Sequence, residues 1–187
     1  ADAGFDVSTI TGSTALAATP ANDDEIVLSD AGTLKRLDLT HIYPHPAFNV
    51  VTDNDQEVAT ATWTKLVFDK EKGDSNTAYD SSTNYRFTIP SGETGNYLFL
   101  SWLDIQESAD HDDVRLNMYL NGSAHTMSQL GTFTNYNSHY FMAMFKLDAT
   151  DYVEMYLYHS KGSDMTIGAG DTGNRNTGWC GFKIPGL

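Results

Sequence analysis

The chain is poor in cysteine, in cations and in long apolar runs, and each shortage excludes something. Cys180 is the single cysteine, so no disulfide can close within the chain and the fold must stand on packing. It lies in Trp179-Cys180-Gly181-Phe182, where a small buried hydrophobe is the expected role. Lys and Arg total 11 against 25 Asp and Glu, a net charge of −14. That balance argues against binding a phosphate backbone, which needs cations to displace counterions, and against attraction to anionic membrane surfaces. It favours solubility and leaves room for bound divalent cations. No apolar stretch approaches the ~18 residues of a membrane span, and no leader peptide is visible. The first residue is Ala1 rather than Met, as expected of a processed chain or a piece of a longer one. Catalytic signatures are missing too: there is no Gly-x-Ser-x-Gly, no His-Glu-x-x-His and no glycine-rich loop leading into a helix. The six histidines are scattered. The expectation is a protein that binds and does not catalyse.

What is present points to strands. Ten Tyr, nine Phe and three Trp stand among abundant Thr, Ser, Asn, Asp and Gly, a balance that favours strands joined by turns. At 187 residues the chain suits one domain with an arm. Residues 1–23, rich in small and polar residues with isolated Phe5, Val7, Ile10 and Leu16, read as an extended arm that needs a partner surface. Glu25 to Ser29 and Thr33 to Leu39 flank Asp30-Ala31-Gly32 and predict a β-hairpin. Pro44 and Pro46 then form a stiff joint, because each fixes its own φ and biases its predecessor to extended backbone. The boundary is placed there: 1–43 an attachment segment, 44–187 a head.

Strand-like runs follow at Trp63–Phe68, Tyr85–Ile89, Tyr97–Ile105, Val114–Leu120, Tyr140–Leu147, Tyr152–Tyr158 and Trp179–Ile184. Period-two alternation places Val114, Leu116, Met118 and Leu120 on one face, and separates Val153, Met155 and Leu157 from Tyr152, Tyr156 and Tyr158. Leu98 to Leu103 is apolar on both faces, as in a strand covered on two sides. No 3.6-residue period is sustained. Asn121-Gly122 predicts a tight turn; Asn121-Gly122-Ser123 also fits a glycosylation sequon. Asp53 to Glu57 is read as a polar loop, since it lacks the Gly and distal Glu of a calcium loop. The fold class is an all-β, antiparallel sandwich of eight strands or more.

The ordered set of motifs resembles the C1q/tumour-necrosis-factor family of jelly-roll heads. Ala47-Phe48-Asn49-Val50 is similar to its opening strand. Tyr79-Asp80, Tyr85-Arg86-Phe87-Thr88-Ile89-Pro90 and Gly95-Asn96-Tyr97-Leu98-Phe99 resemble its most specific stretch. Leu120-Asn121-Gly122 fits the next hairpin. Leu147-Asp148-Ala149-Thr150-Asp151-Tyr152-Val153 resembles the family's Leu-x-x-Gly-Asp-x-Val turn with Thr150 in place of Gly, and Gly178-Trp179-Cys180-Gly181-Phe182 its closing strand with Trp179 in place of Phe. The insertion Ser91 to Thr94 and the lack of a collagen stalk depart from complement proteins. Asp24 to Asp38 resembles a hairpin found ahead of C-terminal heads in bacteriophage tail-fibre and virion proteins. Together these resemblances imply a homotrimer at a virion surface, with surplus apolar faces buried between subunits.

Loop lengths suggest where recognition sits. Connections at 90–95, 121–124 and 148–151 are short and share one end with the arm, while 104–113, 131–138 and 160–177 share the opposite end. The long set holds Phe133, Tyr136, Asn174, Arg175 and Asn176 as candidate ligand-binding residues, with rings for stacking and fixed hydrogen-bonding groups. Long loops are also simply tolerated on surfaces. Asp110, Asp112 and Asp113, flanking His111, fit either a solvated acidic loop or a calcium site. Two functional readings follow. One is a tail-fibre tip that recognises a host-surface glycan or protein through the distal loops. The other is a capsid decoration protein that clamps neighbouring capsid subunits, partner virion proteins, through the arm.

Overall fold

Turn chemistry sets the first element. In the computed structural model, which describes residues 24–39, 45–105, 113–130, 137–168 and 177–185, β1 (Glu25–Asp30) and β2 (Thr33–Asp38) pair antiparallel from Glu25↔Asp38 to Asp30↔Thr33. Ala31 and Gly32 take φ of 49° and 85°, the left-handed pair that matches a hairpin's twist. Arg36 and Glu25 form an ion pair at 2.9 Å, and Ile26, Val27 and Leu34 are exposed. A lone two-stranded hairpin is marginal in water. The chain divides into two compact units, Ala1–Tyr43 and Pro44–Leu187.

The second unit is two antiparallel sheets. The first runs β4 (Gln56–Val58), β14 (Met165–Ile167), β9 (Gly95–Ile105), β15 (Gly178–Ile184), β3 (Ala47–Val51), β6 (Lys70–Asp74), with β12 (Asn137–Leu147) on the other side of β9. The second runs β11 (Ser123–Leu130), β10 (Val114–Leu120), β13 (Tyr152–His159), β8 (Arg86–Thr88), β7 (Tyr79–Asp80), with β5 (Thr64–Lys65) also paired to β13. Among the described residues no helix is long and apolar enough to cross a membrane.

Alternation puts one face of each sheet inward. Val114, Leu116 and Met118 of β10 and Val153, Met155 and Leu157 of β13 are completely buried. Opposite them Trp179 packs edge-on against Phe48 at 4.7 Å and beside Phe68 and Phe99 at 5.9 Å, while Phe87 stacks on Phe48 at 4.6 Å. Each large side chain so buried contributes roughly 1.5–3 kcal/mol. Gly181 makes the cluster fit: a Cβ there would lie 2.5 Å from Phe99 and 2.8 Å from Phe48.

Turns at one end interlock. Asn121 donates to Asp151 at 2.8 Å and accepts from the Tyr152 amide at 2.9 Å, and the Ala149 amide donates to Thr94 at 2.9 Å. The short connections at 90–95, 121–122 and 148–151 therefore do share an end. Thr150, at the position where the resemblance has Gly, takes φ of 76°. At the opposite end the Thr52 hydroxyl donates to Gly168 at 2.9 Å and the Asp104 amide to the Thr177 hydroxyl at 3.0 Å.

Several sequence expectations are corrected. Trp63–Phe68 is a strand only at Thr64–Lys65; the Leu66 amide bonds Met155, and Leu66 and Phe68 dip into the core. Residues 160–177 are not one open connection, because Met165–Ile167 pairs with β4 and β9. Gln56 and Glu57 belong to β4 rather than to a polar loop. Leu98, Leu100 and Trp102 are not covered on their outer side but half-buried. Cys180 alternates outward beside them, so it is no core residue.

Candidate interaction surfaces

The outer face of the first sheet is apolar in register. Tyr140 faces Trp102, which faces Gly178; Met142 faces Leu100, then Cys180, then Asn49; Met144 faces Leu98, then Phe182, then Ala47. Those three rows contain no charged residue. Tyr140 is 74%, Met142 67% and Met144 58% exposed, and Phe182 is exposed beside them. A Cβ on Gly178 would lie 2.2 Å from the Trp102 ring, so the glycine lets that ring lie close to the sheet. Burial raises the Cys180 thiol above its ordinary range. A contiguous apolar face of this kind is a candidate association surface.

The outer face of the second sheet is built differently. Arg115 faces Tyr158, Asn117 faces Tyr156, and Tyr119 faces Glu154 across the β10–β13 ladder, with Lys65 on the far side of Tyr156. Tyr119 and Tyr156 stack at 4.0 Å, and Trp63 lies 5.4 Å from Tyr158 and 6.3 Å from Tyr119. Arg86 sits 4.1 Å over the Tyr152 ring and Arg115 5.4 Å over Tyr158, cation–π contacts. Lys65 donates to Glu154 at 2.5 Å, and the Arg115 guanidinium pairs with Asp113 at 2.5 Å. Burial, then the Glu154 charge, holds the Tyr156 phenol above its usual range.

Two other polar groups are structural. Asp80 accepts from the Ser82, Thr83 and Asn84 amides and the Asn84 side chain, led by Thr83 in holding its carboxyl well below the usual range. His139, between the sheets, has its pKa pushed down to about 4 by burial and lies 3.3 Å from the Ser128 hydroxyl.

Of the residues singled out from sequence, Phe133, Tyr136, Asn174, Arg175, Asn176, Asp110 and Asp112 lie outside the described residues. Asp113 is described, and its carboxylate is held by Arg115 and by Gln129 at 3.1 Å. Among the described residues no group of three or more His, Cys, Asp or Glu could hold a metal ion. The sequence reading missed Tyr140, Met142, Met144 and Phe182 as a surface. Their signal was a β12 segment apolar at successive positions. It also missed Trp63 joining the tyrosines of β10 and β13.

Strand order and packing define a jelly roll of the TNF/C1q type. Murine APRIL superposes with a TM-score of 0.55 at 13% identity, over 75% of this chain and 100% of that one. Eiger TNF of S. frugiperda gives 0.54 at 12% identity, over 76% and 94%. The vertex protein P5 of phage PRD1 gives 0.55 at 11%, over 75% and 97%. No protein-family model and no characterised sequence matches the chain.

Proposed function

We propose that the chain is the head of a homotrimeric phage virion protein, a tail-fibre tip or receptor-binding head at the particle surface. Its first sheet's outer face joins the three copies. Residues 1–43 attach it to other virion proteins, and the exposed surfaces recognise a host-surface ligand. The observation that carries the reading is the uncharged face on which exposed Met142, Met144 and Phe182 lie beside half-buried Leu98 and Leu100, apolar side chains that a solitary monomer would leave in contact with water. The jelly-roll likeness to a phage vertex protein supports the virion setting. It also favours a second reading, a capsid decoration protein, because that neighbour is a vertex protein and not a tail protein.

Two measurements test this. Light scattering at micromolar concentration should return three times the chain mass of 20.6 kDa; a monomer mass overturns the self-association. Gold-labelled antibody against residues 44–187 on intact particles should mark the tail tip. Labelling spread over the capsid lattice selects the decoration reading, and unlabelled particles overturn both.

A further inference from the structure

We propose that the outer face of the second sheet is a binding site for a neutral pyranose glycan. The proposal rests on the reading of the chain as a recognition head and names the ligand class. Outward positions of a half-solvated sheet ordinarily carry polar residues, yet Tyr119 of β10 and Tyr156 and Tyr158 of β13 gather here with Trp63, which immediately precedes β5. These rings are half-buried, each apolar on its face and polar at its tip. The hydroxyls of Tyr119, Tyr156 and Tyr158 bond to no described residue. Beneath them lies an independent pointer to a polar ligand. Asn117, on the same face and opposite Tyr156, is 6% exposed, and its Oδ1 is buried with no hydrogen-bond partner among the described residues. A buried acceptor of that kind calls for a donor, and a sugar hydroxyl that displaces the rings above it is one.

Charge selects among ligands. Lys65 is matched by Glu154 and Arg115 by Asp113, and Arg86 is spread over the Tyr152 ring. The whole chain carries −14, which repels acidic polymers. An uncharged polyol fits what remains: C–H faces stack on the rings while hydroxyls meet the phenols and the oriented charged pairs. A protein partner is better served by the apolar face of the other sheet.

The test uses the full chain in its assembled state on immobilised neutral oligosaccharides of gluco, galacto, manno and N-acetylglucosamine configuration, with dextran sulfate as the anionic probe. At least one neutral oligosaccharide should be retained and dextran sulfate should not. Titration followed by tryptophan fluorescence should then weaken about tenfold in Tyr158→Ala and in Tyr119→Ala, while Tyr158→Phe, which keeps the ring face and loses only the hydroxyl, should weaken it less than Tyr158→Ala. Circular dichroism and mass of each variant must match the parent. Retention of no neutral oligosaccharide, preference for dextran sulfate, or alanine variants that bind like the parent would each overturn the proposal. A chain that binds the sugar as a monomer upholds this site and sinks the trimer.

Discussion

The two outer sheet faces are made from the same β alternation and finished with opposite chemistry. One presents Met142, Met144, Leu98, Leu100 and Phe182 without a charge in three cross-strand rows. The other presents Tyr119, Tyr156, Tyr158 and Trp63 among ion pairs. Flexible thioethers and leucines gain most when water leaves altogether. Phenols and indoles tolerate a wet partner because their tips can hydrogen-bond. On the proposed reading, the first face is suited to permanent burial and the second to reversible contact.

Charging the methionine face should have the largest effect. Met142→Asp with Met144→Asp places two carboxylates in the apolar rows, and sedimentation should fall from trimer to monomer with unchanged circular dichroism. Tyr156→Ala on the opposite face should leave the mass untouched; if it dissociates the chain, the assignment of the faces is reversed.

Next comes the ion pair on the tyrosine face. Glu154 is buried and Lys65 partly so, and Lys65→Met leaves the carboxylate without its cation, costing about 2–3 kcal/mol. Adding Glu154→Leu should recover most of that in chemical denaturation, since removing both charges removes the desolvation cost. Gly178→Val tests the methionine face from below: the new Cβ would displace the Trp102 ring, at about 1–3 kcal/mol for an overpacked site, and should also weaken self-association.

His139 belongs to neither face and provides a pH control. Its folded pKa is about 4 against an ordinary ~6.5, so on acidification the unfolded chain binds the proton first. Stability should therefore be full above pH ~6.5 and fall as pH drops from ~6.5 to ~4, by on the order of 2 kcal/mol. His139→Phe should flatten that slope in melts across the window; an unchanged slope removes His139 as its cause.

The smallest effect is a gain. Thr150, at φ of 76°, holds a β-branched side chain in a region where glycine is unstrained. Thr150→Gly should stabilise by up to about 1 kcal/mol, a melting shift of about 2–4 °C at this size, without altering either face.

Much of this architecture was local and hence legible. Two-residue turns with positive φ at Ala31-Gly32 and Asn121-Gly122, and strict alternation in Val114–Leu120 and Tyr152–Tyr158, state strand, turn and inward face within a few residues. The Thr150 turn and the interlocked short connections were equally visible. Two of the three-residue strands were not, because Met165–Ile167 and Gln56–Val58 form through partners far away in the chain: Met165 pairs with Val58 and Ile167 with Ile105. Nor could a segment such as Tyr140-Phe141-Met142-Ala143-Met144-Phe145, apolar at every position, say which side faces the core. The sequence by itself determined strands, turns and an all-β sandwich, since those depend on backbone preference and a period of two. Only the tertiary structure decided that Phe141 and Ala143 go in while Tyr140, Met142 and Met144 go out, and that Trp63 meets Tyr158. Those choices follow from which strands pair and what fills the space between the sheets, and both are set by contacts between residues far apart in the chain.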